Sequence, residues 1–293
     1  MTLTPVNGPS TVKRRRRTNA QLDLVNQAVY EAVRDEHPVT LRGVFYRVVS
    51  AGAVEKTEAG YRLVGRQLLK LRRAKVIPYA WITDGTRLIR KPDSWSDVET
   101  MLSNAAASYR RALWDDQDAE VLVLSEKDAI SGVVYPVTAS WDVELGIVRG
   151  YSSETFAYSI AESIAATTRY ALKTTYVYQL GDHDPSGVDA WRSFEERVRG
   201  FQLGGDAVFE RLAVTPEQIA EHRLPTRPTK STDTRSRGFN GESVEVDALP
   251  ATVLRNIVEN AIVQHIDPRS YELTMQVEES ERNLLTRMVG GDR

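Results

Sequence analysis

The sequence predicts an α/β protein in which a basic, helical N-terminal domain precedes a mainly parallel sheet that is covered by helices. The first third of the chain has apolar residues at helical spacing and a surplus of positive charge. From about Asp118 onward, short apolar strands alternate with helices, which is typical of a parallel sheet covered on both faces. A chain of 293 residues is long enough for two domains, each with its own core.

The composition argues against several classes of protein. Without cysteine, the chain cannot form disulfides or bind a metal through thiolates. No run approaches the roughly 20 apolar residues of a membrane span, and the first residues lack the apolar core of a signal peptide. We therefore expect a cytoplasmic protein that does not contact membranes.

The net charge of −2 conceals a division along the chain. Between Lys13 and Lys91 there are 18 Lys and Arg residues against 7 Asp and Glu, whereas the rest of the chain has 20 against 33. A basic first third favours binding to DNA, because each phosphate that it neutralises releases counterions. The acidic remainder would repel DNA unless some carboxylates hold divalent cations. The alternative interpretation is that the charges only solvate two faces.

Three helices are predicted in the basic part. Residues 1–17 have no apolar periodicity, and we expect them to form a disordered arm that ends in a run of Lys and Arg. The helices are expected over Asn19–Asp35, from the N-cap Thr40 to Gly52, and over roughly Thr57–Lys75. The third helix is strongly basic.

A short strand and a hairpin complete this domain. Val76–Thr83 is predicted to be a strand, and Asp84-Gly85 is typical of a hairpin turn. Three helices followed by a hairpin indicate a winged helix, which we place over residues 18–92. The basic side chains expected to contact DNA are Arg62, Arg66, Lys70, Arg72, Arg73 and Arg87. An ordinary helical subdomain with solvated charges is the alternative.

A connecting helix or linker over residues 93–117 is expected to lead into the α/β part, residues 118–293, which ends in helices. Its strands are predicted at Glu120–Leu124, Leu145–Val148, Thr175–Leu180 and Ser243–Val246. Three of its helices are predicted at Ala129–Val137, at Val188–Val198 and from Pro250 to about His265. Two more are predicted to begin after the N-caps Ser153 and Thr215. The polar stretch Pro225–Glu242 is long for a loop and is a candidate for contact with substrate.

Acidic residues follow two of the predicted strands. Glu126 follows the first strand, and Asp182 and Asp184 follow Thr175–Leu180. These carboxylates are expected to converge, because open sheets build their sites at the carboxyl ends of strands and alternation points the two aspartates the same way. Mg²⁺ prefers a few such oxygens together with water and phosphate. The sequence therefore predicts a site for one or two Mg²⁺ ions. Glu245 and Asp247 end another predicted strand near the same edge. Their stretch resembles one that recurs in Toprim nucleases of the plasmid-defence type, which implies that one of them is a candidate ligand of a second ion.

These motifs resemble those of a known family. A strand followed by Glu126, and a later strand followed by Gly-Asp-x-Asp-Pro-x-Gly at residues 181–187, are similar to the Toprim domain of topoisomerases, primases and some nucleases. Upstream, Arg42-Gly43-Val44-Phe45-Tyr46 resembles the Arg-x-x-(Phe/Tyr)-Tyr motif of the topoisomerase VI A subunit, a type IIB enzyme. The resemblance spans about Pro38–Leu254. It is nearest to the short, stand-alone A-like proteins of bacteria and their viruses.

The resemblance implies a DNA-cleaving enzyme. Tyr46 would be the nucleophile that forms a 5′-phosphotyrosyl intermediate, and Arg42 would steady the scissile phosphate. Glu126 would take part both in catalysis and, with Asp182 and Asp184, in metal binding. A homodimer is also implied, because in this family the tyrosine of one protomer works with the metal of the other. No Walker-type phosphate loop is visible in the sequence, so ATP would be bound by a separate B-type subunit and not by this chain.

Two alternative functions stay open. A hydrolytic DNA nuclease would use the same metal site to activate water, and Tyr46 would then have no role in catalysis. A catalytically inactive DNA-binding or recombination protein would use only the affinity of the basic N-terminal domain for DNA.

Overall fold

The computed structural model describes residues 18–83, 92–228, 239 and 242–289. The predicted basic arm, the hairpin turn at Asp84-Gly85 and the side chain of Arg87 lie outside these residues. Within the described part of the chain, no helix combines the length and apolar character that are needed to cross a membrane.

Three helices form the N-terminal part, as predicted. They are α1 (Asn19–Glu36), α2 (Leu41–Ser50) and α3 (Glu58–Arg73). The hydroxyls of Thr40 and Thr57 accept hydrogen bonds from backbone N–H groups three residues ahead and so cap α2 and α3. The helices pack through fully buried valines, among them Val29, Val44 and Val64.

The predicted strand at Val76–Thr83 is wrong. Tyr79–Trp81 forms a 3₁₀ turn, and a single parallel bridge joins Ile82 to Val39. Pro78 explains the difference, because its nitrogen has no hydrogen to donate and its carbonyl accepts the N–H at the end of the turn at 3.2 Å. Since the hairpin turn is outside the described residues, the wing of the winged helix stays a prediction.

The α/β part contains a four-stranded, fully parallel sheet in the order β2-β1-β3-β4. Its strands are β1 (Ala119–Ser125), β2 (Glu144–Ile147), β3 (Thr174–Leu180) and β4 (Ala207–Ala213). The remaining helices are α4 (Val98–Ser108), α5 (Asp128–Ser140), α6 (Glu154–Ala166), α7 (Pro185–Gly200), α8 (Pro216–Glu221), α9 (Ala251–Val263) and α10 (Pro268–Val289). A π-helical turn, Thr167–Ala171, extends α6.

Helices cover both faces of the sheet, as predicted. Alternate residues of β1 point to opposite faces. Val123 lies in one core with Ile130 of α5 and Leu254 of α9, and this core continues into the N-terminal helices. Leu124 lies in a second core on the other face, where Phe194 of α7 packs together with residues of α6.

Two strand assignments made from the sequence need correction. The edge strand β4 was not predicted, because Glu210 and Arg211 interrupt its apolar pattern and one of its faces is largely exposed. Ser243–Val246, predicted as a strand, makes two isolated bridges and then enters the 3₁₀ turn Val246–Ala248. The N–H of Ala248 closes this turn by donating to the carbonyl of Glu245 at 2.9 Å.

Candidate functional site

The carboxyl ends of β1 and β3 border the candidate site. These strands are neighbours at the centre of the sheet, and the chain leaves them in opposite directions, from β1 to β2 and from β3 to β4. Because α5 and α7 cover opposite faces, a crevice remains between them, which is where open parallel sheets bind ligands. A cleft of about 820 Å³ opens at this point. Its acidic residues are Glu126, Asp128, Asp182, Glu245 and Asp247, and its basic ones are Arg42, Arg72, Lys127 and Arg149.

The structure brings Glu126 and Asp182 together. The N–H of Glu126 donates to the carbonyl of Leu180 at 2.8 Å, so β1 and β3 remain paired up to the site. The Oε2 atom of Glu126 accepts the N–H of Asp182 at 3.0 Å, and Asp182 Oδ1 accepts the N–H of Val246 at 2.9 Å. Burial and the charge of Asp182 raise the pKa of Glu126, and burial also raises the pKa of Asp182 despite the opposing effect of Lys127. Because both carboxyl groups have raised pKa values, their ionised forms would be stabilised by an added cation.

Asp184 lies at the start of α7 and caps that helix. Its Oδ1 accepts the N–H of Gly187 at 2.8 Å, and Pro185 occupies the first helical position. The other carboxylate oxygen lies 3.5 Å from the guanidinium of Arg227. Asp184 therefore contributes negative charge near Glu126 while its oxygens are engaged with the helix and with an arginine.

Lys127 lies among three carboxylates of the cleft. Its Nζ is 2.8 Å from Asp182 Oδ1, 3.2 Å from Asp247 Oδ2 and 3.3 Å from Glu245 Oε2. Burial alone would lower the pKa of Lys127, but the three carboxylates outweigh it and raise that pKa. The lysine is thus firmly held as a cation inside the acidic site.

The segment before α9 joins the N-terminal helices to the sheet. The Thr40 hydroxyl donates to Asp247 Oδ1 at 2.8 Å while also capping α2. Arg42 forms an ion pair and a hydrogen bond with Glu245. The carboxylates considered for a second metal ion therefore lie in the same cleft as Glu126, and both already have basic or hydroxyl partners.

Tyr46 lies on α2, one turn after Arg42, and only 3% of it is exposed. Its ring centroid is 5.4 Å from that of Phe45 and 5.3 Å from the Nζ of Lys56. Burial and the negative charge of Glu245 raise the pKa of Tyr46 to about 12. Since a phenol must lose its proton to attack phosphorus, this environment keeps Tyr46 in its unreactive form.

Two arginines that the sequence analysis missed contact residues 181–184, the loop between β3 and α7 that we call the acidic loop. Arg211 donates to the carbonyl of Gly181 at 2.9 Å and to the carbonyl of Asp182. Arg227 lies 3.5 Å from carboxylate oxygens of both Asp184 and Glu245. Arg211 was missed because β4 was not predicted; the strand-favouring pair Val208-Phe209 and the apolar residues from Leu212 to Val214 were the signal that pointed to this strand.

The basic residues of α3 divide into two groups. Arg62, Arg66, Lys70 and Arg73 are exposed on the helix surface, and Arg62 forms an ion pair with Glu58 at 3.0 Å. Arg72 instead borders the cleft, where its guanidinium lies 4.3 Å from the ring centroid of Tyr79. The helix thus connects an exposed basic surface to the rim of the site.

The donors in the cleft have the chemistry that Mg²⁺ prefers, since they are carboxylate oxygens. Their present arrangement, however, surrounds an ammonium group: Lys127 contacts Asp182, Glu245 and Asp247. Among the residues that the structure describes, no three acidic or histidine side chains are placed to hold a metal ion. The residues therefore fit Mg²⁺ in kind, and a metal would have to compete with Lys127.

Comparison with known proteins adds no assignment to this site. The chain matches no family model, and no curated protein matches it.

Proposed function

We propose that this chain cleaves DNA phosphodiesters with the help of Mg²⁺, in the manner of a type IIB topoisomerase A subunit. The observation that carries the proposal is the presence of carboxylates and guanidinium groups in one cleft at the carboxyl ends of β1 and β3. Glu126 and Asp182 provide oxygens for a cation, whereas Arg42 and Arg72 provide donors for phosphate oxygens. Both kinds of group stabilise the charge that develops when a phosphodiester is cleaved.

The proposed roles combine these positions with the family resemblance of the motifs. Glu126, Asp182 and Asp184 would hold one or two Mg²⁺ ions, which supply positive charge to the phosphoryl oxygens and the departing 3′ oxygen. Arg42 binds the scissile phosphate. The exposed basic surface of α3 binds the flanking DNA backbone, together with the predicted wing. We also propose that the fold is a winged helix followed by a Toprim domain, and that the protein is cytoplasmic and associated with DNA.

Tyr46 is the proposed nucleophile. Attack of its phenolate oxygen on phosphorus breaks the bond to the 3′ oxygen and leaves a 5′-phosphotyrosyl bond between DNA and protein. Because the phenol is buried and its pKa is raised to about 12, the reaction requires that α2 expose Tyr46. In the proposed homodimer, where Tyr46 meets the carboxylates of the other protomer, α2 would have to move to expose it. ATP, where strand passage needs it, would come with a separate B-type subunit.

Hydrolysis by an activated water molecule is the second candidate function. The burial of Tyr46 favours it, because water reaches the cleft without any movement of α2. Glu126 and Asp182 would serve both reactions, so the acidic site alone does not distinguish them.

The test incubates the protein with supercoiled plasmid and Mg²⁺, stops the reaction with denaturant, and treats half of each sample with protease. We expect DNA that is covalently linked to protein at its 5′ ends. Tyr46→Phe should lower the yield of this adduct by on the order of 10³-fold or more, because the nucleophile is removed. Tyr61→Phe, which changes a tyrosine that borders the cleft, is the matched control and should retain cleavage.

The outcomes separate the candidates. Undiminished cleavage by Tyr46→Phe, with free DNA ends, would select hydrolysis. Asp182→Asn should abolish cleavage in either case. DNA binding without Mg²⁺-dependent cleavage, in both the unaltered protein and the Asp182→Asn variant, would refute the proposal and leave a catalytically inactive DNA-binding protein.

A further inference from the structure

Lys127 directly follows Glu126 and precedes the first residue of α5. Its ammonium group lies within 3.3 Å of carboxylate oxygens of Asp182, Glu245 and Asp247. The side chain is 26% exposed, so it is mostly withdrawn from solvent but still reaches the cleft. Carboxylates from two separate segments of the chain therefore enclose one organic cation.

The three carboxylates depend on Lys127 to different degrees. Asp247 also accepts the hydroxyl of Thr40, and Glu245 also pairs with Arg42. The Oδ1 atom of Asp182 contacts the Lys127 ammonium at 2.8 Å, the shortest of the three contacts, and otherwise accepts a backbone N–H. The backbone N–H of Asp182 donates to Glu126 Oε2 at 3.0 Å, so the same residue adjoins the other proposed metal ligand. One side chain thus belongs both to the lysine and to the pair proposed to hold metal.

We infer that Lys127 is a built-in counter-cation, which occupies the acidic site until a divalent ion displaces it from Asp182. The inference rests on the proposed function, because it concerns the same metal site. An ammonium group and a divalent ion at Asp182 repel each other and compete for the negative charge of the same carboxylate. Binding of the ion is therefore coupled to release of the Lys127 side chain.

Release of Lys127 places a mobile cation in a cleft that is proposed to hold phosphate. A DNA phosphate that binds the ammonium removes it from competition for Asp182, and so strengthens the binding of the divalent ion. By linkage, the divalent ion strengthens the binding of DNA by the same factor. The lysine thus favours loading of the metal when DNA is present over loading of the free protein.

The test measures metal binding without DNA and without catalysis. Mn²⁺ is the probe, and the electron paramagnetic resonance signal of the free ion reports its binding. Lys127→Met removes the charge while keeping an unbranched side chain, and it should bind Mn²⁺ about tenfold or more tightly than the unaltered protein. Lys173→Met is the matched control, because Lys173 donates to the carbonyls of Trp114 and Asp115, and it should leave the affinity unchanged.

Each outcome decides one question. If the unaltered protein binds Mn²⁺ through Asp182, as shown by loss of binding in Asp182→Asn, and Lys127→Met binds no more tightly, the inference is overturned while the proposed function stands. If neither the unaltered protein nor Lys127→Met binds Mn²⁺, the metal site itself is refuted and both fall. If only Lys127→Met binds, occupation of the site by the lysine is supported.

Melting temperatures provide a second measurement, which applies even if Lys127→Met is less stable than the unaltered protein. Without metal, Lys127→Met should melt at a lower temperature, because three carboxylates have lost a shared cation. Saturating Mn²⁺ should then raise its melting temperature by more than it raises that of the unaltered protein. Equal increases in the two proteins would contradict displacement of the lysine by metal.

Discussion

Glu245 has three positively charged neighbours in this fold. It pairs with Arg42, and it lies 3.3 Å from Lys127 and 3.5 Å from Arg227. Burial alone would raise the pKa of this carboxyl group, but the neighbouring cations outweigh that effect and lower it. A carboxyl group with a lower pKa in the folded than in the unfolded chain stabilises the fold when it is ionised. Glu245 should therefore contribute to stability at neutral pH.

Glu245→Gln tests this contribution as a function of pH. At pH 7 the substitution should lower the free energy of unfolding by about 1–3 kcal/mol, because charge-assisted hydrogen bonds are lost. The difference should persist above the unfolded-state pKa of about 4.3 and vanish as the pH falls through the lower folded-state pKa. Urea denaturation from pH 7 to pH 3 measures it. Glu279→Gln, which changes an exposed residue of α10, should have little effect, and a pH-independent loss in Glu245→Gln would contradict the argument.

For individual residues, the sequence predicted where acidic side chains lie better than it predicted their hydrogen-bond and ion-pair partners. Glu126 and Asp182 follow apolar strands, so their meeting at one edge of the sheet followed from the fold class. The contacts of Asp247 with Thr40 and with Lys127 join residues that are 207 and 120 positions apart in the chain. No local pattern encodes such contacts, since they depend on how α2 packs against the segment before α9.

Among the elements, helices were predictable because their signals are local. Thr40, Thr57 and Thr215 each cap the helix that the sequence predicts after them. The errors concern strands, which depend on pairing with distant residues. β4 is a strand because β3 pairs with it, and Ser243–Val246 fails to become one because its contacts are two isolated bridges.

Helix α7 provides a matched pair of glycines, one at each end. A Cβ atom at Gly187 would lie 2.5 Å from the carbonyl oxygen of Asp182 and 3.2 Å from Glu126 Oε2, whereas a Cβ atom at Gly200 would meet nothing within 4 Å. Gly187→Ala should cost about 1–3 kcal/mol of unfolding free energy, because the acidic loop must shift. Gly200→Ala should be neutral or stabilise the protein by up to about 1 kcal/mol.

Urea denaturation of the two variants measures these changes, and plasmid cleavage shows whether the loop has moved. Activity should fall only in Gly187→Ala, since the loop that it displaces carries Asp182. Equal stability and equal activity of the two glycine variants would show that the close approach of α7 to the acidic loop has no consequence.

In the whole molecule, the basic and the acidic parts of the sequence contribute to different surfaces. The basic first third supplies the exposed surface of α3, and the acidic remainder supplies the carboxylates of the cleft. Arg72 lies where the two meet, since it belongs to α3 and borders the cleft. A polyanion bound along α3 would therefore be directed toward the carboxyl ends of β1 and β3.

The dependence of DNA binding on salt tests this surface. Replacing Arg66, Lys70 and Arg73 with alanine should weaken binding to all DNA sequences and reduce the slope of log K against log salt by roughly 2–3. Replacing the exposed residues Arg192, Arg199 and Arg287 with alanine is the control of equal charge and should change the slope little. Fluorescence anisotropy measures the binding constant at salt concentrations between about 50 and 300 mM. Equal slopes in the two triple variants would exclude α3 as the DNA-binding surface.

The hydrogen bonds between the N-terminal helices and the region around α9 also bear on how the protein is made. Thr40 binds Asp247, and Arg255 donates to the carbonyls of Glu36 and Pro38, across separations of 207 to 219 residues. During synthesis, the ribosome must therefore release most of the chain before these bonds can form. A prematurely terminated polypeptide that lacks Asp247 and Arg255 contains Tyr46, Glu126 and the basic helix, yet it cannot complete the cleft. The cleavage of DNA that we propose would thereby be confined to polypeptides that extend past Arg255.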